Sequence, residues 1–290
     1  MILNPFSFRR PIQNNNQIKK NMPGKIVLFT NARNEQNMKE WAAHHLLLGF
    51  DRIIIFDHKS NIPLKNTFIN FDKRVKVLRC EINNPVKIKL MNRAIQIAKQ
   101  HNMEWIMYLD ADEFLVLNKF MNIRDLVNHY GRYADLISMN WLMFGTNFLI
   151  KSPKGLIVES YTKSEASLNK HVKSIVRASQ AVYADNPHYY HIRNPARMIT
   201  VDNKLMNSFL GYSFNECKIN YNVIPAFIAH YIYQSEETYV KRKLELPSDD
   251  TGASRKPDIN IHNCYNDVIN NRVKNMYAER IKRFLEHYKV

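Results

Sequence analysis

The fold of this chain is decided by residues 104–114, which read EWIMYLDADEF. The five consecutive apolar residues Trp105–Leu109 predict a short strand buried on both faces, as in the middle of a parallel sheet. Two carboxylates one residue apart, Asp110 and Asp112, follow where this strand ends. Such a pair can present oxygen ligands to a hard divalent cation, although Asp-x-Asp alone also occurs in ordinary solvated turns.

Strand and helix patterns alternate on the N-terminal side of this stretch. We predict strands at Lys25–Asn31, Asp51–Asp57, Arg74–Cys80 and Glu104–Asp110, and helices at Glu35–Gly49 and Lys87–Gln100. This order predicts an α/β fold with a mainly parallel central sheet flanked by helices. Ligands bind outside the carboxyl ends of such strands, where we expect Asn31, Asp57 and Asp110 to meet.

The second half of the chain has weaker patterns. We predict short strands at Leu136–Trp141, Gly155–Tyr161, Lys173–Val176 and Met198–Val201, and a C-terminal helix at Tyr265–Tyr288. No stretch in this half is long and polar enough to separate two domains. We therefore expect a poorly ordered lead at residues 1–23 and a single domain at residues 24–290.

The chain is strongly basic, with a formal net charge of +16 at pH 7 over 290 residues. Such a field suits nucleic acid, an anionic membrane surface or a phosphate-bearing substrate, but no nucleic-acid-binding motif accompanies the scattered basic residues. No apolar run is long enough to span a bilayer, so membrane contact is expected to be peripheral at most. The three widely spaced cysteines favour a reducing compartment. We predict a cytoplasmic location; for a viral source, which the Asn- and Lys-rich composition favours, this is the host cytoplasm or the virion.

A second polar group, Asn31–Glu35, lies between the first strand and the first helix. Arg33 can pair with a phosphate there and Glu35 with a base or ribose. The alternative is helix capping, with Asn34 as the N-cap and Glu35 in the first turn, and the two roles are compatible. Asp57 can likewise accept hydrogen bonds from a uracil or a ribose, or close a turn.

Taken in order, these motifs resemble the glycosyltransferase-2-like families of GT-A fold, including the eukaryotic family once called a domain of unknown function (DUF23-like). The resemblance covers roughly residues 25–245, and its specificity comes from the ordered set. The matching residues are Arg33-Asn34-Glu35, Glu40-Trp41, His44-His45, Leu48-Gly49, Asp57, Ser60, Asn92-Arg93-Ala94, Tyr108–Phe114, Trp141, Phe144-Gly145-Thr146, Lys173, Val176-Arg177, His230-Tyr231, Ser235, Glu237 and Lys241.

The resemblance implies a GT-A (Rossmann-like) fold and metal-dependent transfer of a sugar, with inversion, from a UDP-linked nucleotide-sugar donor to a hydroxyl of a glycan or glycoconjugate. It implies a Mn²⁺ or Mg²⁺ ion at Asp110, Asp112 and His230, with Asp112 as the direct ligand and Asp110 in contact with ribose or a coordinated water. The implied contacts to the donor are Arg33, Glu35, Asp57, Asn92, Asp110 and Lys173, with Trp141, Phe144 and Gly145 under the sugar or the acceptor.

Inversion needs a general base near the acceptor hydroxyl. The chain lacks the Glu-Asp pair that inverting relatives often carry, so Glu159 is the first candidate, followed by Asp185 and the Asp249-Asp250 pair. The spacing His188-x-x-His191 could suggest zinc, but that site would need two more ligands.

Two other classes of protein stay open. A nucleotidyltransferase also uses metal carboxylates on an α/β sheet, but it usually carries a Gly-rich loop after the first strand, which this chain lacks. A non-catalytic basic module that binds glycan or nucleic acid would be expected to lose its acidic metal site, yet Asp110, Asp112 and Glu113 are present.

Overall fold

A computed structural model of the chain describes residues 24–206, 211–258 and 260–288, so the predicted lead at 1–23 lies outside the described residues. The strands are β1 (Lys25–Ala32), β2 (Arg52–His58), β3 (Val75–Cys80), β4 (Met103–Tyr108), β5 (Glu113–Leu117), β6 (Leu136–Met143), β7 (Lys163–Ser164), β8 (Val172–Arg177), β9 (Ala181–Tyr183), β10 (His191–Ile192), β11 (Met198–Thr200), β12 (Ala226–His230) and β13 (Val268–Ile269). The helices are α1 (Met38–Leu47), α2 (Leu64–Thr67), α3 (Lys87–Gln100), α4 (Ile123–Tyr130), α5 (Ile157–Ser160), α6 (Glu236–Tyr239) and α7 (Arg272–Glu286), with 3-10 turns at Pro195–Arg197 and Ile261–Asn263 and a π-helix at Val240–Leu244.

The described residues form a central sheet of nine strands in the order β3-β2-β1-β4-β8-β6-β12-β5, with β11 beside β12 on the same edge of β6. Neighbours from β3 to β4 are parallel, as are β6 and β12, whereas β8 and β5 run antiparallel to their neighbours. The predicted α/β class, with a mainly parallel sheet, flanking helices and a C-terminal helix, is therefore confirmed. Strands β1, β2, β4, β6 and β12 all end at one edge of the sheet.

The continuous apolar run of β1 has a clear reason in the packing. Ile26 and Leu28 are fully buried in the core on the side of α1 and α7, whereas Val27 and Phe29 are fully buried on the side of α3. A strand covered on both faces needs apolar residues at every position. None of the helices in the described ranges is long and apolar enough to cross a membrane.

The predicted strand at Gly155–Tyr161 is wrong, because this segment contains helix α5. The buried carboxylate of Glu40 on α1 accepts hydrogen bonds from the first backbone N–H groups of α5, Ile157 at 2.7 Å and Val158 at 3.0 Å. These donors are the ones that a helix leaves unpaired at its N-terminus. Glu40 thus caps a helix that is far away in sequence.

The predicted C-terminal helix begins later than expected, at Arg272 rather than Tyr265. Val268 and Ile269 form β13 instead, pairing with Lys163 and Ser164 of β7. Once its backbone is paired with another strand, this segment cannot continue a helix.

We expect the Glu40 cap to make folding stability depend on pH. Burial raises the pKa of Glu40 to about 7, although the two N–H donors act in the opposite direction. The native state then keeps a proton that the unfolded state loses above its ordinary pKa near 4.5, so the stabilising contribution of Glu40 is present at low pH and is lost as pH rises to about 7. Relative to Glu40→Gln, the wild-type free energy of unfolding should fall by roughly 3 kcal/mol between pH 4.5 and 8, measured by urea denaturation. A difference between the two proteins that stays constant with pH contradicts this assignment.

Candidate functional site

The Asp110–Asp112 turn lies between β4 and β5 at the edge where the parallel strands end. The turn is closed by two hydrogen bonds: the Glu113 N–H donates to the Asp110 carbonyl at 3.0 Å, and the Asp110 N–H donates to Glu113 Oε2 at 2.8 Å. Both carboxylates face a cavity, called the cleft below. Its lining comprises Asn31, Ala32, Arg33, Glu35, Lys87, Asp110, Ala111, Asp112, Arg242, Lys243, Leu246, Pro247, Asp249, Asp250 and Arg255.

Two lysines hold the carboxylate of Asp110. Lys87, at the start of α3, pairs with Oδ1, and the fully buried Lys173 of β8 lies 3.3 Å from Oδ2. Burial by itself would raise the pKa of Asp110, but Lys173 and Lys87 hold it well below its usual range. Asp110 is therefore a fixed anion with a cation at each oxygen.

The carboxylate of Asp112 faces two further cations and a histidine. Arg242 lies 3.0 Å and Lys243 3.5 Å from Oδ2, both from the π-helix, and His230 Nε2 at the end of β12 lies 3.6 Å from Oδ1. Burial opposes the charge, yet Arg242 and its neighbours hold the pKa of Asp112 well below the ordinary value. The π-helix thus brings two cations onto the same oxygen.

Arg242 links Asp112 to Glu35. Its Nε donates to Glu35 Oε1 at 2.7 Å, while its Nη2 donates to Asp112. Burial raises the pKa of Glu35 despite this pairing. The three side chains form a continuous row from the β1–α1 loop to the Asp110–Asp112 turn.

Next to Asp112 lies a group made of the buried Glu113 and His230 and the partly buried Trp141. Strand β12 pairs antiparallel with β5 so that His230 faces Glu113, whose pKa burial raises to about 7 against the attraction of Lys173. The Trp141 ring lies 4.4 Å from the His230 ring, and within the described residues its buried indole N–H has no hydrogen-bond partner. His171 and His188 pack against the same indole, each at 5.1 Å.

Two arginines of the cleft, Arg33 and Arg255, do not pair with a carboxylate in the described ranges. Among residues 24–206, 211–258 and 260–288, neither Arg33 nor Arg255 makes an ion pair, and the buried Nε of Arg33 has no hydrogen-bond partner. Arginine binds phosphate oxygens through two parallel N–H groups. Both residues are therefore suited to an anionic ligand in the cleft.

Few side chains of the cleft are placed to act as ligands of a metal ion. In the part of the chain that the structure describes, no group of three or more His, Cys, Asp or Glu side chains is arranged to hold a metal ion. Asp112 Oδ1 and His230 Nε2 are 3.6 Å apart, so a small side-chain shift would bring both to one ion with ligand distances of about 2.1 Å. The pair fits an ion that takes its other ligands from phosphate and water, whereas both oxygens of Asp110 face lysines.

Several predicted site residues lie elsewhere or have other contacts. Glu159 on α5 pairs with Lys282 of α7 at 2.7 Å, and Asp185 pairs with His191 at 3.0 Å; neither lines the cleft. His188 is buried against Trp141 while His191 pairs with Asp185, so the two histidines do not share a site.

Asn92 and Asp57, which were predicted to contact the nucleotide, make hydrogen bonds that stabilise the fold. Asn92 fixes the loop after β9, since its side chain bonds both the N–H and the carbonyl of Ala184. Both oxygens of the buried Asp57 accept hydrogen bonds, from the Ser60 N–H and from the Leu64 N–H and Arg79.

The three residues predicted to lie under the sugar or the acceptor, Trp141, Phe144 and Gly145, have different surroundings in the structure. Phe144 is fully buried against Tyr231. A Cβ atom on Gly145 would lie 2.6 Å from the carbonyl oxygen of Tyr265 and against the side chain of Asn266, so glycine is required there for packing. Trp141, in contrast, lies beside His230.

Apart from Arg33, the sequence did not single out the cations of the cleft. Lys87, Arg242 and Lys243 lie in segments where lysine and arginine normally indicate a solvated face. Asp249, considered only as a base, accepts from Asn31 Nδ2 at 2.6 Å and lies 3.3 Å from His58 Nδ1. The one available signal was the density of basic residues at 241–243.

A sequence profile of known proteins matches most of this chain. The profile is that of glycosyltransferase family 92, and it matches residues 27–268. The chain belongs to glycosyltransferase family 92. This confirms the predicted glycosyltransferase assignment, while the narrower glycosyltransferase-2-like naming stays a prediction.

Family 92 relatives include proteins of two plants. A family 92 protein of Ricinus communis is 23% identical over 252 residues, which are 83% of this chain and 45% of the relative. One of Oryza sativa subsp. japonica is 22% identical over 229 residues, 75% of this chain and 38% of the relative. The chain thus spans less than half the length of these relatives.

Solved structures with partial similarity include two bacterial proteins. The crystal structure of S. aureus TarS has 18% identity and a TM-score of 0.35, covering 54% of this chain and 48% of that one. Glucosyl-3-phosphoglycerate synthase of Mycobacterium tuberculosis, in complex with Mg²⁺ and UDP, has 18% identity and a TM-score of 0.31, covering 41% and 44%.

We expect Lys173 to be essential for stability in this family 92 protein. Lys173→Met removes the cation that faces both Asp110 and Glu113. Asp110 keeps Lys87, but the buried Glu113 loses its nearest cation, so the free energy of unfolding should fall by about 3 kcal/mol. Adding Glu113→Gln should recover part of that loss, as a double-mutant cycle by urea denaturation can measure.

The exposed Lys119 provides the matched control. Lys119→Met should change stability by less than about 0.5 kcal/mol. A Lys173→Met protein as stable as this control would show that the buried pairs contribute nothing.

Proposed function

We propose that this family 92 chain transfers a sugar from a nucleotide-sugar donor, UDP-linked, to a hydroxyl of a glycan or glycoconjugate, with a divalent metal ion at Asp112 and with inversion. Family membership supports the glycosyl transfer itself. The observation that carries the rest is the cleft, where Asp110 and Asp112 stand among five cationic side chains at the carboxyl ends of the parallel strands.

The donor diphosphate is proposed to lie between the Asp110–Asp112 turn and the two arginines without ion pairs, Arg33 and Arg255. Arg242 and Lys243 lie on the same side of Asp112 and can transfer hydrogen bonds from its carboxylate to phosphate oxygens. Hydrogen bonds between charged partners are the strong ones, and placing them before the bond breaks avoids reorganisation as charge develops on the leaving diphosphate.

Asp112 and His230 are the residues that would hold Mn²⁺ or Mg²⁺. Such an ion supplies positive charge next to the leaving diphosphate. Asp110 is proposed to act differently: with a lysine at each oxygen it fixes the turn and orients Asp112. This assignment departs from the sequence-based expectation that Asp110 contacts ribose or a water bound to the metal ion.

The decisive test compares wild type with Asp112→Asn on a panel of UDP-glucose, UDP-galactose, UDP-N-acetylglucosamine and GDP-mannose, with manganese and with chelator. We expect manganese-dependent release of UDP from one donor, and a loss of more than about 100-fold in Asp112→Asn, because this variant removes both the metal ligand and the partner of Arg242. Asp125→Asn, an exposed carboxylate in the first turn of α4, is the matched control, and thermal unfolding of all three proteins checks that they are folded.

Two outcomes contradict the proposal when nucleoside triphosphates with sugar phosphates, and nucleic acid, are assayed beside this panel. Release of pyrophosphate from a nucleoside triphosphate and a sugar phosphate identifies a nucleotidyltransferase instead. Tight binding of nucleic acid at physiological salt, with no turnover of any nucleotide sugar, identifies the basic binding module.

A second prediction concerns the arginines without ion pairs. Arg33→Ala should raise the KM for the donor about 10- to 100-fold, as expected for a lost hydrogen bond between charged groups, without reducing stability. Steady-state kinetics measure this effect, and Arg132→Ala, at an exposed arginine outside the cleft, is the control. Equal donor KM values for the two variants would exclude Arg33 from the diphosphate site.

A further inference from the structure

A second cavity lies next to the cleft and is called the neutral cavity here. It is formed by the loops that follow three parallel strands, β1, β6 and β12. Most of its polar lining is uncharged amides and hydroxyls, including Asn34, Asn37, Ser152, Ser160, Gln234 and Thr238. This composition differs from that of the cleft, whose polar lining is almost entirely ionised.

The charged groups of the neutral cavity already neutralise one another or a neighbour. Glu35 and Arg242 pair with each other at 2.7 Å, and Lys241 pairs with Glu237 at 2.8 Å. The unpaired Arg33 and Arg255 line the cleft and not this cavity. A ligand of the neutral cavity therefore gains little from carrying a charge.

Gln234 is the feature of the neutral cavity that indicates a ligand. Its side chain is only 3% exposed, and within the described ranges it has no hydrogen-bond partner. Because Gln234 lines the cavity, its carboxamide is open to a ligand there. It carries both donors and acceptors, as sugar hydroxyls do, so the two can satisfy each other.

The hydroxyls beside Gln234 are held in place by the fold. Ser235 caps α6 by accepting from the Thr238 N–H at 3.2 Å. Ser152 then joins the loop after β6 to this cap, with its Oγ 2.7 Å from Thr238 Oγ1 and 3.0 Å from Ser235 Oγ. This network fixes the cavity wall before any ligand arrives, which lowers the entropic cost of binding.

The neutral cavity adjoins the reacting end of the cleft. Glu35 and Arg242 line both cavities, and Arg242 also bonds Asp112. A group bound in the neutral cavity is therefore separated from the Asp110–Asp112 turn by a single ion pair. Glu35 is the carboxylate that such a group meets on its way to the cleft.

We propose that the neutral cavity is the acceptor subsite, and that it binds an uncharged, hydroxyl-rich sugar residue through the carboxamide of Gln234. The proposal rests on the proposed function in one respect, the name acceptor. Binding of a neutral sugar by this cavity can be tested without any transfer taking place.

Gln234→Gly is the variant that tests the proposal. Gln234 has a left-handed backbone, with φ +55°, which glycine adopts without strain, so this change removes the carboxamide without burdening the fold. Saturation-transfer NMR with methyl β-glucopyranoside and methyl β-galactopyranoside should show binding to wild type and a roughly 3- to 10-fold weaker affinity for Gln234→Gly, as expected for one or two lost hydrogen bonds.

Two controls separate this test from the transferase proposal. Gln100→Ala, at an exposed glutamine outside the cavity, should bind the glycosides like wild type. Asp112→Asn should also keep glycoside binding while it loses donor turnover. If no nucleotide sugar is turned over but the glycosides still bind through Gln234, the sugar site stands and the transferase assignment fails.

Three results overturn the proposal. One is that neither glycoside binds wild type, and another is that both bind Gln234→Gly as well as wild type. The third is that UDP displaces the glycosides and that Gln234→Gly loses UDP binding, which would assign the cavity to the donor nucleotide.

Discussion

The structure depends on the cations that keep Asp110 and Asp112 ionised where β4 ends. A buried anion without partners costs several kcal/mol, so Asp110 and Asp112 can stay ionised only if cations reach them. These cations come from separate parts of the chain: Lys87 from α3, Lys173 from β8, and Arg242 and Lys243 from the π-helix. The same ion pairs that prepare the cleft therefore also bring the second half of the sheet and the C-terminal segment against the first half.

The parts of the fold that the sequence predicted well are those with local causes. Helix α3 has the predicted bounds, Lys87–Gln100, because its apolar face repeats every turn, and the strands from β1 to β4 follow from short apolar runs. Helix α5 was missed because its cap, Glu40, is supplied by α1, more than a hundred residues away. No pattern within residues 155–161 could have revealed this contact.

The candidate site shows the same contrast between features with local causes and features that depend on distant parts of the chain. Asp110 and Asp112 could be found because acidic residues after an apolar strand are unusual, whereas Lys87 and Arg242 look like ordinary surface residues until the fold turns them inward. The family resemblance is limited in another way, because a motif does not show whether a residue serves the site or the packing of the fold. Gly145 and Asn92 match the pattern, yet packing against Tyr265 and hydrogen bonds to Ala184 are sufficient reasons for both.

The charge balance of the cleft supports the proposed metal ion, even in a strongly basic chain. Five carboxylates line the cleft beside five basic side chains, so the excess charge of the protein, +16, lies elsewhere. A diphosphate entering this balanced site brings about two negative charges that the fixed residues do not offset. Arg33 and Arg255 can take part of that charge, and Arg242 and Lys243 can take more only by leaving Asp112. A divalent cation at Asp112 and His230 would replace them there, so that the carboxylate stays neutralised while both basic side chains turn to the phosphates.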